Sequence, residues 1–309
     1  MRIPTLLAKV CMTGLALTAT AGVWLALPAE AATRPQPVST CGQAITRSTA
    51  YLTRDLTCTQ GFGVPSNDTS TRDVTLDLRG HRLEGPGSGT AISVGAEFPY
   101  YASLQLKNGR LDHWGTAISA VWASVELTNV TLDHNALALN CAASSCTVTN
   151  SRIEDNTVGS TTNESAVVFT DSVFRRNGTA SSASSIGGLS GATYTDNSFE
   201  GNTVGVSIGS DMQVTLTGNH FSKNVVGVKG TNPEGRSGFQ ARLTDNHFVN
   251  NRDGIHLAIS GSDDYALLKG NVAVNNTRYG IYAPGAEDAG GNRAVRNGKP
   301  CVGVVCARP

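Results

Sequence analysis

From Lys107 onward, apolar and polar positions recur with a period of 21 to 27 residues. The repeated segment reads NGRLDHW, NVTLDHN, NSRIEDN, DSVFRRN, DNSFEGN, GNHFSKN, DNHFVNN, GNVAVNN and GNRAVRN. Aligned on Asn108, Asn129, Asn150, Asp171, Asp196, Gly218, Asp245, Gly270 and Gly291, the residue three positions on is apolar in every coil, from Leu111, Leu132 and Ile153 to Ala273 and Ala294. That column is expected to point inward. Six residues on stands Asn, from Asn135 and Asn156 to Asn276 and Asn297, broken only by Trp114. Asn tolerates left-handed backbone and bonds nearby backbone groups, so this column is assigned to a tight turn. Stacked coil on coil, the amides are positioned to bond one another along the axis.

The stretch before each segment alternates with period two. Leu106, Leu127, Val148, Phe169, Tyr194, Leu216, Leu243 and Leu268 form one column flanked largely by Thr, a pattern of strand and not of helix. A third short strand follows the Asn, in GTAIS, ALALN, VGVSI, VGVKG, DGIHL and YGIYA. Three short strands per coil turning in one sense predict an all-β solenoid, a single-stranded parallel β-helix of about ten coils. At about 3.3 Å per residue such a coil has a perimeter of roughly 70 Å, and coils stack about 4.8 Å apart. Leucine-rich repeats share the period but need a dense Leu frame and a helical return, which this chain lacks.

The expected organisation is a signal peptide at 1–31, a disordered lead at 32–40, an N-terminal cap with irregular first coils at 41–95, regular coils at 96–297 and a C-terminal cap at 298–309. The leader reading rests on Arg2 and Lys9, an apolar run from Val10 to Leu27, and the small-residue site Ala29-Glu30-Ala31. Its removal takes away two basic residues and one acidic, leaving 22 Lys and Arg against 23 Asp and Glu. A basic face for nucleic acid is not expected, nor is membrane insertion after cleavage. The Arg175-Arg176 pair reads as a solvated surface pair. Six cysteines remain, and spacing favours the local pairs Cys41 with Cys58, Cys141 with Cys146, and Cys301 with Cys306. A metal site is the rival reading, without a CxxC pair or a neighbouring His to support it.

The opening CGQAITRSTAYLTRDLTC, then DVTLDLRGHRLEG, and the repeats with NRDGIHLAIS and TRYGIYA resemble secreted bacterial members of the pectin-lyase-like superfamily of right-handed parallel β-helix proteins. The resemblance covers about 41–297. It implies a right-handed helix, secretion and a bias toward carbohydrate, since similar repeats occur in polysaccharide lyases, epimerases, glycosidases and NosD-type periplasmic proteins. It does not imply one reaction. The DPHD epimerase motif, the polygalacturonase set and the vWiDH…RxPxxR pattern of pectate lyases are absent, and LDHW at 111–114 is only a fragment of the last.

Coil spacings of 21, 21, 21, 25, 22, 27, 25 and 21 place insertions after the third strand, along one edge. One-sided insertions either mark a binding side or are tolerated loop drift. Beside them, Ser207, Lys229, His256 and Tyr282 fall in one outward column, with Asp253 and Arg278 one strand step earlier. A base, a cation and a phenol are the parts that β-elimination of a uronate requires. In that reading His256 is the base, Lys229 and Arg278 hold the carboxylate, and Tyr282 protonates the leaving oxygen. The bland alternative is a set of ordinary solvated strand residues. Tyr100 and Tyr101, with Phe98, are candidates to stack on sugar rings, although loop aromatics more often pack.

A second constellation is the row Asp112, Asp133 and Glu154, in the same outward position on three successive coils. Ca²⁺ takes such oxygen ligands, but Arg110 and Arg152 are placed to neutralise the row, and that salt-bridge network is the favoured reading. His113 and His134 are expected to stack beside it, and His220 over His247, with no convergent zinc ligands evident from the spacing. The functional expectation is a secreted, monomeric β-helix that binds extracellular or cell-envelope polysaccharide and requires no cofactor, Ca²⁺ being the one candidate ion. The alternative is a polysaccharide lyase or related enzyme on the same fold. A NosD-like role in metal-centre assembly is a third, minor option.

Overall fold

The structure, a computed structural model, describes residues 34–65, 72–95, 102–186, 190–231, 238–259 and 263–307. The leader at 1–31 and the aromatic segment Phe98, Tyr100 and Tyr101 lie outside the described residues. Among those described there are 32 strands and no helix, and the coils form one compact unit, Pro35–Pro309.

Each coil contributes a strand to each of three faces. One regular coil runs Ser145–Thr149, Arg152–Glu154 and Val158–Asn163. The next runs Ala166–Thr170, Val173–Arg175 and Thr179–Ala183, each strand parallel to its predecessor and in register with it. The third face is one continuous sheet of 11 strands, from Phe62–Pro65 to Lys299–Val302. This is the parallel β-helix the repeat predicts.

The inward columns are dry. Leu111, Ile153, Phe174, Phe199, Phe221, Phe248 and Ala273 are all fully buried. Their rings stack along the axis: Phe174 on Phe199 at 4.7 Å, Phe199 on Phe221 at 4.6 Å, and Phe221 on Phe248 at 4.8 Å. The spacing equals the strand repeat, so coil stacking and ring stacking are satisfied together.

The Asn column forms the expected ladder. Asn135 Nδ2 donates to Asn156 Oδ1 at 3.1 Å, and the same bond repeats through Asn177, Asn202, Asn224, Asn251 and Asn276 to Asn297. Its place in the turn differs from the expectation. The left-handed residue is the one before each Asn: His134, Asp155, Arg176, Gly201, Lys223, Asn250, Asn275 and Arg296 have φ from 54° to 67°. The Asn itself turns inward and takes up backbone groups that the corner removes from the sheets, as when Asn202 Oδ1 accepts the Asn177 N–H at 2.8 Å. Trp114 breaks the column by ending it: its backbone N–H donates to Asn135 Oδ1 at 2.9 Å, and its indole N–H to Leu83 O at 3.1 Å.

Two further corners obey rules the alignment leaves unread. The residues that open each segment are left-handed throughout, with φ of 59° at Asn108 and 68° at Gly218, which explains their restriction to Asn, Asp and Gly. Immediately after them, Asn197, Asn219, Asn246, Asn271 and Asn292 build a second buried ladder.

The lead expected to be disordered is ordered from Gln36 to Val38, which pairs in parallel with Ala50–Leu52. Val38 is fully buried and closes the end of the core, while Gln36 Oε1 accepts the Thr46 N–H at 2.8 Å. Pro37 is tolerated there because this strand lies at the edge of its sheet. All three local cysteine pairs form disulfides: Cys41–Cys58, Cys141–Cys146 and Cys301–Cys306.

Candidate functional site

The outward column of the third face is in the predicted register. Ser182 pairs with Ser207, Ser207 with Lys229, Lys229 with His256, and His256 with Tyr282. Toward the N-terminus the same column continues as Thr161, Asn140, Ser119 and Ser93. Thr161 Oγ1 donates to Asn140 Oδ1 at 3.0 Å. The face is therefore a strip of small hydroxyls and an amide that ends in a cation and two rings. A groove of about 370 Å³ beside Ser182, Ser185, Ile186, Ser207 and Thr231 lies against the first insertion and on the same strip.

The ring end is more built than the sequence shows. His256 stacks on Tyr282 with centroids 4.7 Å apart and planes 20° from parallel. Tyr279, from the neighbouring column, stands 4.9 Å from Tyr282 and edge-on to His256 at 6.0 Å. Lys299 Nζ lies 5.3 Å from the Tyr279 centroid and Arg278 Cζ lies 5.0 Å from it. Tyr279 and Lys299 were not among the sequence candidates. Their signal was available in the register Asp253–Tyr279–Lys299.

Asp253 is fully buried beneath this cluster. Both its oxygens accept from Arg278, one at 2.6 Å from Nε, and Arg252 Nε lies 3.5 Å away. Burial alone would raise its carboxyl, but the bonds and charge of Arg278, the Tyr279 N–H and the charge of Arg252 hold it below the ordinary value. Asp253 thus anchors Arg278 from below, and Arg278 reaches the surface with part of its donor capacity spent. Burial also pushes His256 below its ordinary value of 6.5; Asp253 opposes this, while Arg278, Lys229 and Arg252 add to it. His256 Nδ1 is buried and has no hydrogen-bond partner. A ring that is neutral at neutral pH is able to accept a proton, though not from a surface ligand at the buried Nδ1.

On the second face the acidic row forms, but it is buried and not outward as expected, because an arginine lies over each carboxylate. Arg82 Nε and Arg110 Nε each lie 2.6 Å from Asp112 Oδ2, and Arg110 reaches Asp133 Oδ2 at 2.6 Å. Arg152 and Arg175 each bond Glu154 at 2.5 Å. Burial would raise Glu154, but these two arginines hold it low. Arg82 and Arg175 extend the network expected from Arg110 and Arg152. The Arg175-Arg176 pair is accordingly not merely solvated, since Arg176 pairs with Asp155. His113 and His134 stack as expected, 5.3 Å apart with planes 2° from parallel. His220 and His247 share a register position.

The chain matches the family described as "Right handed beta helix region" over residues 135–297, more than half its length, and belongs to that family. Its β-helix is right-handed. No curated protein matches it in sequence. Among solved structures, the Agl-KA catalytic domain aligns at 13% identity and TM-score 0.42 over 84% of this chain and 62% of that one. ORF18 of Geobacillus virus E2 aligns at 14% and 0.42, over 84% and 53%. An alginate lyase from Paenibacillus sp. str. FPU-7 aligns at 11% and 0.32, over 82% and 98%. The chain thus spans 62% and 53% of the length of the first two.

Proposed function

We propose that the protein is secreted and binds an extracellular or cell-envelope polysaccharide along its third face. The observation that carries this reading is the stack of His256 on Tyr282, with Tyr279 beside it, at the end of a hydroxyl and amide strip. Flat rings offer apolar area to the faces of sugar units, and the strip offers orienting hydrogen bonds. Lys229 and Lys299 bring positive charge to carboxylates of a uronate. Coil spacing near 4.8 Å is on the scale of one sugar residue, so a chain lying along the axis meets successive coils. Three disulfides fit an oxidising compartment. Among the described residues no helix is long and apolar enough to cross a membrane.

Affinity electrophoresis through gels containing polygalacturonate, alginate or a neutral glucan tests the reading. Retardation by one of them is expected, and Tyr282→Ala should weaken it by about tenfold, the order expected when an aromatic anchor is removed. Equal mobility in every gel would sink the proposal.

A second reading, elimination chemistry, is favoured by the His256 ring, depressed below its ordinary value and standing in register between Lys229 and Tyr282. In it His256 takes the proton alpha to the uronate carboxylate, Lys229 and Arg278 stabilise the enolate, and Tyr282 protonates the leaving oxygen. Absorbance at about 235 nm, where unsaturated uronates absorb, reports the product. On an active substrate, His256→Ala should lower turnover by about 10²-fold or more with melting unchanged. The acid limb of the pH profile should lie below 6.5, because the ring's own value is depressed. Full activity in His256→Ala would remove this assignment.

A further inference from the structure

We propose that Glu84, Asp112 and His113 form a binding site for a first-row divalent transition cation, of which Zn²⁺ is the type. The site lies on the second face, away from the strip above. It arises because Arg82–Glu84 pairs in register with Arg110–Asp112, which sets Glu84 beside Asp112. One ligand-capable atom from each of the three residues falls within 4.8 Å of the others.

Asp112 gives the site its direction. Its side chain is fully buried, and Arg82 and Arg110 both approach Oδ2 at 2.6 Å. The other oxygen, Oδ1, accepts no hydrogen bond. A buried carboxylate oxygen without a donor is costly, and this one faces His113 Nδ1 at 3.4 Å. That separation is long for a hydrogen bond between the two. It is the separation of adjacent donors around a tetrahedral ion with bonds of about 2.0–2.2 Å.

The next coil supplies an internal comparison. Asp133 and His134 repeat the same dipeptide, and there the contact closes to a 2.7 Å hydrogen bond between Nδ1 and Oδ2, although Asp133 Oδ1 is likewise buried without a partner. His134 is thereby fixed, and its ring stacks on His113 with planes 2° apart. His113, with φ of 57°, is held by backbone and stacking with its Nδ1 toward Asp112 and nothing bonded between.

Charge permits a cation. Glu84, Asp112 and Asp133 against Arg82 and Arg110 leave one net negative charge before the imidazoles are counted. The donor set selects the ion: one imidazole with two carboxylates suits Zn²⁺ and its neighbours, whereas Ca²⁺ takes six to eight oxygens. Glu84 Oε1 and Oε2 each accept one bond, from Arg82 at 3.0 Å and Thr57 at 3.1 Å, and retain further lone pairs.

Calorimetric titration of the chelator-treated, secreted protein with ZnCl₂ tests the site, with CaCl₂ as competitor. One ion per chain is expected, undisturbed by excess Ca²⁺, and Co²⁺ should give the visible bands of a tetrahedral site. His113→Asn keeps a residue tolerant of the left-handed turn, and Glu84→Gln alters a half-exposed group, so both should fold. Each should weaken Zn²⁺ by at least about tenfold, an effect that even outer-shell changes reach. His220→Asn should leave binding intact. Failure to saturate with Zn²⁺, unchanged affinity in His113→Asn and Glu84→Gln, loss in His220→Asn, or displacement by Ca²⁺ would each overturn the proposal.

Discussion

Phe221→Asp is expected to abolish cooperative unfolding. Phe221 is fully buried, with rings 4.6 Å below and 4.8 Å above it. Removing a buried Phe costs about 3–5 kcal/mol through lost burial and cavity. Each lost ring contact adds about 0.5–1.5 kcal/mol. The introduced carboxylate finds no cation in the stack, and a buried, unpaired charge carries a penalty of several kcal/mol more. Together these are on the order of the whole stability of an ordinary domain, about 5–15 kcal/mol. Thermal unfolding followed by circular dichroism decides the matter. A melting curve like that of the parent protein would mean that this column does not face inward.

The second large effect is expected at Asn202→Ala. The Asn202 amide closes four bonds: Oδ1 accepts from Asn177 N and Nδ2 at 2.8 and 3.0 Å, and Nδ2 donates to Phe174 O and Asn224 Oδ1 at 3.0 Å each. Ala leaves the Asn177 N–H buried and without a partner, at about 1–3 kcal/mol, and removes the side-chain bonds to Phe174 O and Asn224 Oδ1, at about 1 kcal/mol each. A loss on the order of 3–5 kcal/mol is expected in urea denaturation. Hydrogen exchange at the Asn177 amide should accelerate far more than at the ends of the solenoid. A loss below about 1 kcal/mol, within the range of a single net hydrogen bond, would mean that the ladder is filled by water and holds little.

The sequence is a good guide where a position must be chemically uniform. The Leu111-to-Ala294 column has to be apolar in every coil, and the Asn135-to-Asn297 column has to carry an amide, so both stand out on alignment. The left-handed residue beside each Asn is occupied by His, Asp, Arg, Gly, Lys and Asn. Its side chain faces solvent and only its backbone is constrained, so composition is silent there. The second ladder is masked because its early positions hold Val130, Ser151 and Ser172 in place of Asn. Ser hydroxyls accept the same backbone N–H with a shorter reach. At the strip, the column Lys229, His256, Tyr282 was readable from strand alternation. The burial of Asp253 under Arg278 is the finding that reading missed, although Asp253 shares the parity of the buried Ile255 and Leu257, because it stands at the first residue of the strand, beside the corner. Glu84 escaped notice for another reason. The segment opening at Gly80 is followed by the next at Asn108, an interval of 28 residues, beyond the regular period.

Both amide ladders point one way: each lower coil donates to the coil above it. A 21-residue coil therefore arrives with one acceptor below and one donor above, and is interchangeable with any other coil at that joint. Thr149 and Thr170 end equivalent strands, so a chain lacking 150–170 would bring Asn135 against Asn177 with the bonds it now makes to Asn156. The shaft would shorten by about 4.8 Å and keep its closure. Length in this architecture is a digital quantity, gained or lost by whole coils, and the distance between the strip at His256 and the cluster at Asp112 is set by how many coils lie between them.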